Sequence, residues 1–485
     1  MERRAGRSPT PPSGRRSSGR SVRRAPGPRW SEPVLALVVL IGAVATTWWR
    51  LGPVSRGTVW AEDGGVFLRE RLASGVDGTL LRPYAGYLHL VPRLVVDVAV
   101  HRPVEQYALT VTAACCVVVA AVAAAVFLLS RDVVPRRSLR LLLAAVPVVL
   151  PMAPVEIAGN AANLHWYALV LVPWLFAHRV RSWPGAAVVA VLALAATLTE
   201  LQSVVFLPLL VLAWQPLAST GPGRHVRRVR SIGAAARLRA LPVTVAAVVG
   251  CTAQVVTAST TERPSERGHP SPADVVAGYL LQPLAGLWDR RVAPVGGAVA
   301  DRGGWVLVVP ALAVLVVLVL AFLVAPWRAR ALLVAFAGGS VAVWTAALLA
   351  NLSANGRWGT LDAAGLAAVG PSRYAAAAGM LLLSALVVAG ALLVERGTAR
   401  SGETRPGGAV HVPRSALGRC VVALVVTTSV TNAAPGASTR SDGPEWAPQV
   451  RDAEPACRAD PTRVLEVRTA PWSAQVPCAL VLRDR

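Results

Sequence analysis

Long apolar runs separated by short arginine-rich stretches decide what this chain can fold into. Residues 33–49, 105–130, 139–155, 164–178, 185–199, 201–216, 241–258, 305–325, 331–350, 374–394 and 419–435 are dominated by Ala, Val and Leu. Several approach the ~20 residues an α-helix needs to cross a bilayer. Hydrocarbon offers backbone N–H and C=O groups no partner, so a spanning segment must satisfy them itself. The expected fold is an all-α polytopic membrane protein with about 11 transmembrane helices. Composition agrees, with 54% hydrophobic and 15% charged residues where a soluble domain carries about a quarter charged.

A formal net charge of +23 would suit a nucleic-acid binder, but its distribution argues for a membrane and against nucleic acid. The arginines fall in alternate loops: Arg131, Arg136, Arg137 and Arg140; Arg179 and Arg181; Arg224, Arg227, Arg228, Arg230, Arg237 and Arg239; Arg328 and Arg330; and Arg396, Arg400, Arg405, Arg414 and Arg419. Cytoplasmic loops carry this bias. It puts the N-terminus inside and, after an odd number of spans, the C-terminus outside. Glu62, Asp63, Glu70, Asp77, Glu156 and Glu200 then fall on the external side. The closely joined runs at 185–216 are critical to this count, because one long broken helix there would invert everything after it. All the basic side chains other than histidine are Arg, which points to a high-GC bacterial genome and a multi-pass plasma-membrane protein.

Three regions follow. Residues 1–32 read as a disordered basic cytoplasmic tail, 33–435 as the transmembrane domain, and 436–485 as a small external segment in which VLEVRT and CALVLR look strand-like. Cys457 and Cys478 lie in that segment, where an oxidising compartment permits a disulfide. Cys115, Cys116, Cys251 and Cys420 lie in apolar runs and read as small buried apolar side chains. Within the first external region, 50–104, His89, Arg93, Asp97 and His101 recur every fourth residue. They share one helical face, with Leu90, Leu94, Val95 and Val98 on the other. That pattern predicts an amphipathic helix along the external interface, with Arg93 and Asp97 spaced for an ion pair.

Chemistry is concentrated in a few places. Glu62-Asp63-Gly64-Gly65 sets two carboxylates just outside a span, able to act as a general base or as hard oxygen ligands for a divalent cation. Tyr84, Tyr87, His89 and Arg93 follow closely. Arg357, Arg373 and Tyr374 form a second group; Arg373 either snorkels to the interface or grips a phosphate with its planar fork. A third comprises Glu156, Asn160, Asn163, His165 and Trp166 with Glu200 and Gln202, which either cap helices or face a cavity. No CxxC, HExxH, P-loop, GxGxxG or GxSxG pattern occurs, so common zinc, nucleotide and serine-hydrolase chemistries lack support.

These residues resemble the GT-C superfamily of integral-membrane glycosyltransferases. The likeness rests on the acidic pair in the first external loop, the interface helix after it, many spans, and Arg373-Tyr374 at a late span start. Blocks Ala61–Gly64, Pro83–Arg93, Asn163–Tyr167 and Thr199–Ser203 also resemble those of bacterial membrane proteins of this kind, over residues 55–215. The resemblance implies transfer of a sugar from a polyprenyl-phosphate donor to a glycan or lipid acceptor of the envelope. It gives the catalytic role to Asp63, with Glu62 as alternate. Donor-phosphate contacts fall to Arg373, Arg93 and Arg357, and substrate contacts to Tyr84, Tyr87, His89, Asn163, His165 and Glu200. The alternatives are a transporter or flippase of a lipid-linked intermediate, which ionisable groups near mid-span would favour although the mid-span regions here are almost free of charge, and a non-catalytic envelope-assembly protein.

Overall fold

A computed structural model describes residues 31–215, 237–263, 265–354, 356–400 and 414–483. The expected basic tail falls almost wholly outside this range, as do Arg224, Arg227, Arg228, Arg230, Arg405 and the side chains of Arg396 and Arg400. Helix dominates. Among the described residues, eight helices are long and apolar enough to cross a membrane: Glu32–Gly57, Val104–Asp132, Arg137–Glu156, Leu241–Thr260, Trp305–Val324, Trp327–Ala350, Arg373–Glu395 and Arg414–Thr431. The other three apolar runs form the shorter helices Leu164–Ala177, Trp183–Thr197 and Leu201–Trp214. A helix of 14 residues, such as Leu164–Ala177, is only about 21 Å long at 1.5 Å per residue, against a hydrocarbon core of about 30 Å.

Burial sorts these helices. Arg373–Glu395 is buried along its apolar length and forms the centre of the bundle. On Trp305–Val324 only Leu307, Val317 and Ala321 are buried, leaving Val308, Val309, Leu312, Leu315 and Val316 exposed. An apolar surface that continuous suits a hydrocarbon solvent and not water.

The runs at 185–216 are two segments, not one. Arg239 donates to the Arg181 carbonyl (2.6 Å), so the helices Trp183–Thr197 and Leu241–Thr260 start side by side. Thr197 lies against Gly250, halfway along the second. Trp214 then bonds Thr244 (2.9 Å), back near the start. The chain has reversed at Leu198–Glu200.

The predicted interface helix forms at Leu90–Val100, but its polar side is divided: His89 and Arg93 are buried, while Asp97 is partly exposed and His101 exposed. Leu94 and Val98 are exposed. The expected Arg93–Asp97 pair is not made. Arg93 pairs with Glu70 (2.8 Å) and Asp97 with Arg71 (2.6 Å), because the turn at 69–74 packs acid and base alike against the helix.

The C-terminal segment is a compact unit. Strands β1 (Val464–Arg468) and β2 (Ser473–Pro477) pair antiparallel, and Cys457 is disulfide-bonded to Cys478. CALVL is helical, not a strand; β2 comes from SAQVP, whose alternate residues Ala474 and Val476 are buried. Cys420, expected to be buried, is exposed on its helix, whereas Cys115, Cys116 and Cys251 are buried. This unit seats on the acidic loop. Ala61 and Ala470 exchange backbone hydrogen bonds with the other's segment (both 3.0 Å). A Cβ on Gly64 would lie 2.7 Å from Thr469 Cγ2, so only glycine lets the two chains approach this closely.

Candidate functional site

A cavity of about 140 Å³ opens where the first loop meets the ends of several helices. Its geometry begins with the fate of the two adjacent acids. Successive residues of a helical turn point about 100° apart, so Glu62 and Asp63 cannot face the same way. Asp63 is 1% exposed and turns into the protein, accepting the backbone N–H groups of Ala161 and Ala162 (2.8 Å each). Burial pushes its carboxyl up to about 7, against the pull of those two donors and Arg440. Glu62 faces the cavity and keeps one oxygen without a partner.

Asp63 instead builds the site. The loop it holds is gripped from its other edge by Arg440 of the C-terminal unit, which donates to the carbonyls of Ala158 (2.5 Å) and Gly159 (3.1 Å) and to Thr58 (3.2 Å). Gly159 has φ +71° and lies against Leu51 and Arg440, so both its conformation and its surroundings require glycine. From this braced loop Asn160 Oδ1 accepts from the backbone and side chain of Asn163 (3.0 and 2.8 Å). Asn163 in turn accepts from Trp166 Nε1 (3.2 Å). The start of the Leu164–Ala177 helix is thereby fixed, and with it His165.

Charge in the cavity is paired across the sequence. Arg373 opens its helix and lies 3.6 Å from Glu62 and 3.3 Å from Glu156. Arg263 lines the cavity as well and bonds the neutral Asn351 (2.9 Å) and Ser265 (2.6 Å). His165 Nδ1 bonds Glu200 Oε2, while the N–H of Gln202 holds Glu200 Oε1 (2.8 Å). Among the described residues nothing bonds His165 Nε2.

Aromatic rings form a continuous wall. Tyr84 meets His89 (5.5 Å between centroids), His89 meets Tyr87 (4.0 Å) and His165 (5.9 Å), His165 meets Trp166 (4.0 Å), and Trp166 meets Tyr374 (6.3 Å). Burial pushes the Tyr84 phenol up to about 12 and the Tyr87 phenol well above its ordinary range, so both remain hydrogen-bond donors. Burial, helped by neighbouring His165, holds His89 well below the usual imidazole range.

Of the residues singled out in the sequence, Glu62, Tyr84, Tyr87, His89, Asn163, His165, Glu200 and Arg373 line this cavity, with Trp166, Gln202 and Tyr374 beside them. Asp63, Arg93 and Arg357 do not. Arg93 stacks on Phe67 (5.0 Å) beneath the cavity wall, and Arg357 is exposed in a left-handed turn elsewhere. Arg263 and Asn351 line the site without having been foreseen: one sits in a polar loop full of arginines, the other at a helix end, and neither carries a pattern. A shared cation site for Glu62 and Asp63 does not fit, since the two carboxylates diverge onto a guanidinium and onto backbone N–H groups. Among the described residues no group of three or more His, Cys, Asp and Glu is placed to hold a metal ion. Comparison with family models, with curated proteins and with solved structures finds no match for this chain.

Proposed function

We propose that this protein transfers a sugar from a polyprenyl-phosphate donor to a hydroxyl of an envelope glycan or lipid at the external membrane surface. The proposal includes eleven spans, N-terminus inside and C-terminus outside, with the three short helices counted as spans; the chain reversal at Leu198–Glu200 supports counting the runs at 185–199 and 201–216 separately. One observation carries the reading: Arg373, bracketed by Glu62 and Glu156, shares an aromatic-walled cavity with Arg263. Two guanidinium groups suit a phosphate whose negative charge grows as the sugar leaves. Broad ring faces with amide and phenol donors at their edges suit a flat polyhydroxylated ring. Glu62 and Glu156 hold Arg373 in place through its Nη1. This gives a first-loop acid a role in the site, but through Glu62 and not Asp63.

The test uses the full chain in lipid nanodiscs with tritiated polyprenyl-phosphate hexoses and pentoses and alkyl glycosides as acceptors. Arg373→Ala should raise the donor KM and cut kcat/KM by about a hundredfold or more, the scale of losing a charged clamp on the departing group. Transfer by Arg373→Ala at the wild-type rate, or none by wild type from any donor, would remove the proposal. Movement of the intact donor across vesicles without turnover would make the protein a transporter instead.

A further inference from the structure

We infer that the His165–Glu200 pair is the general base of this site, a role that rests on the transfer reading above and goes beyond it by naming the proton acceptor. His165 sits in the first turn of its helix, 7% exposed, with Trp166 on one side and His89 and Tyr87 on the other. Glu200, 2% exposed, takes the Nδ1 proton of the imidazole as a hydrogen bond. Because a carboxylate only accepts, Nδ1 carries the hydrogen, and in the neutral imidazole Nε2 then carries the lone pair. Nε2 is the nitrogen without a partner among the described residues, and His165 lines the cavity.

Glu200 is itself fixed. Its second oxygen accepts the N–H of Gln202 as the cap of the Leu201–Leu210 helix, so the carboxylate is held through both oxygens and keeps the ring oriented. A nucleophile-activating imidazole oriented by a third group is the arrangement that base catalysis requires. Glu62 is differently placed: its carboxylate is tied to Arg373, the residue that must receive the phosphate, so its service is to donor binding. His89, the other imidazole in the wall, faces the carbonyl of Tyr87 through Nδ1 (3.2 Å) and has no carboxylate.

The step balances as follows. The acceptor hydroxyl gives its proton to His165 Nε2 while its oxygen bonds the anomeric carbon. The bond from that carbon to the phosphate oxygen breaks, and its electron pair leaves with the lipid phosphate against Arg373 and Arg263. The imidazolium, stabilised by Glu200, returns its proton to water after the product departs.

The nanodisc assay tests this with His165→Ala, His165→Asn and Glu200→Gln, each measured with and without added imidazole. His165→Ala should lose about a hundredfold to ten-thousandfold in kcat with donor KM within threefold of wild type, and imidazole should restore at least tenfold. Glu200→Gln should lower kcat and gain nothing from imidazole. Should His165→Ala misfold, His165→Asn fills the space and carries the same expected loss. Either variant keeping kcat within threefold of wild type, or a folded His165→Ala that imidazole does not rescue, overturns the assignment. Glu62→Gln should raise donor KM and show no rescue; rescue there would move the base to Glu62. A wild-type chain that transfers from no donor is a different result, since it removes the transferase reading and not merely its base.

Discussion

Replacing Asp63 by Asn separates an acid that builds the site from one that reacts in it. Folding holds the Asp63 carboxyl up near 7, mainly through burial, with Glu62 adding to the rise while the Ala161 and Ala162 N–H groups and Arg440 oppose it. The unfolded chain returns it to 3.8. Between those values the folded state keeps a proton that the unfolded state has given up. Stability from this group is therefore complete below about pH 4 and is lost as pH rises through 7. At about 1.4 kcal/mol per pH unit the loss reaches about 4 kcal/mol. Asn offers the same shape with nothing to titrate; its NH2 cannot accept the second of the two backbone N–H groups, a fixed cost that shifts the variant's stability equally at every pH and leaves the slope as the readout.

The measurement is the unfolding free energy of wild type and Asp63→Asn in the same detergent, from pH 4.5 to 8. The variant should gain on wild type by several kcal/mol across that range. His89, held below its ordinary value by burial, pulls the other way, since its stability rises with pH up to the unfolded imidazole value; being present in both proteins, it cancels in the difference. The titratable groups coupled to the carboxyl are Glu62, Arg440, Tyr107 and Cys115; the substitution leaves each in place and removes the Asp63 charge that acts on them. A difference that stays constant within about 1 kcal/mol would mean that Asp63 remains charged throughout, stabilised by Arg440 and the two N–H donors, and the reasoning from burial would fail.

Two further predictions concern the C-terminal unit that seats on this loop. Gly64→Val should cost about 1–3 kcal/mol by overpacking against Thr469, Ala474 and Val59, and limited proteolysis should then cut within 436–483 before the membrane-embedded helices. Cys457→Ser opens a loop closed over 21 residues, with an expected loss of about 3 kcal/mol from the freed unfolded chain; the same proteolysis assay, or a melting curve with and without reductant, reads it.

The bundle was legible in the sequence because hydrophobic runs of membrane length have few other uses. At Leu90–Val100 the helix was legible but its ion pairing was not. Its polar stripe was legible, but a stripe of period four says only that one face is polar. Here that face meets Glu70 and Arg71, while Leu94 and Val98 face outward. The strand at 478–483 failed similarly. CALVL is apolar enough for either state, and its position after Pro477 and the disulfide settles it as helix, which no local propensity records.

The acidic pair shows where motif reading stops. Two neighbouring carboxylates are equivalent in sequence, and the choice between them is made by a loop about a hundred residues later that presents two N–H groups to one of them. Once Asp63 is spent on that loop, Glu62 must turn to the cavity, and Arg373 meets it there from the far end of the chain. Arg440 repeats the pattern, reaching from the C-terminal unit to carbonyls of the same loop. The resulting division of labour is physical: Asp63 and Arg440, both buried, fix the backbone that carries His165 and Asn163, while Glu62, His165 and Arg373 line the cavity. Substitutions at Asp63 and Arg440 should thus register first in stability, and those at Glu62, Arg373 and His165 first in turnover.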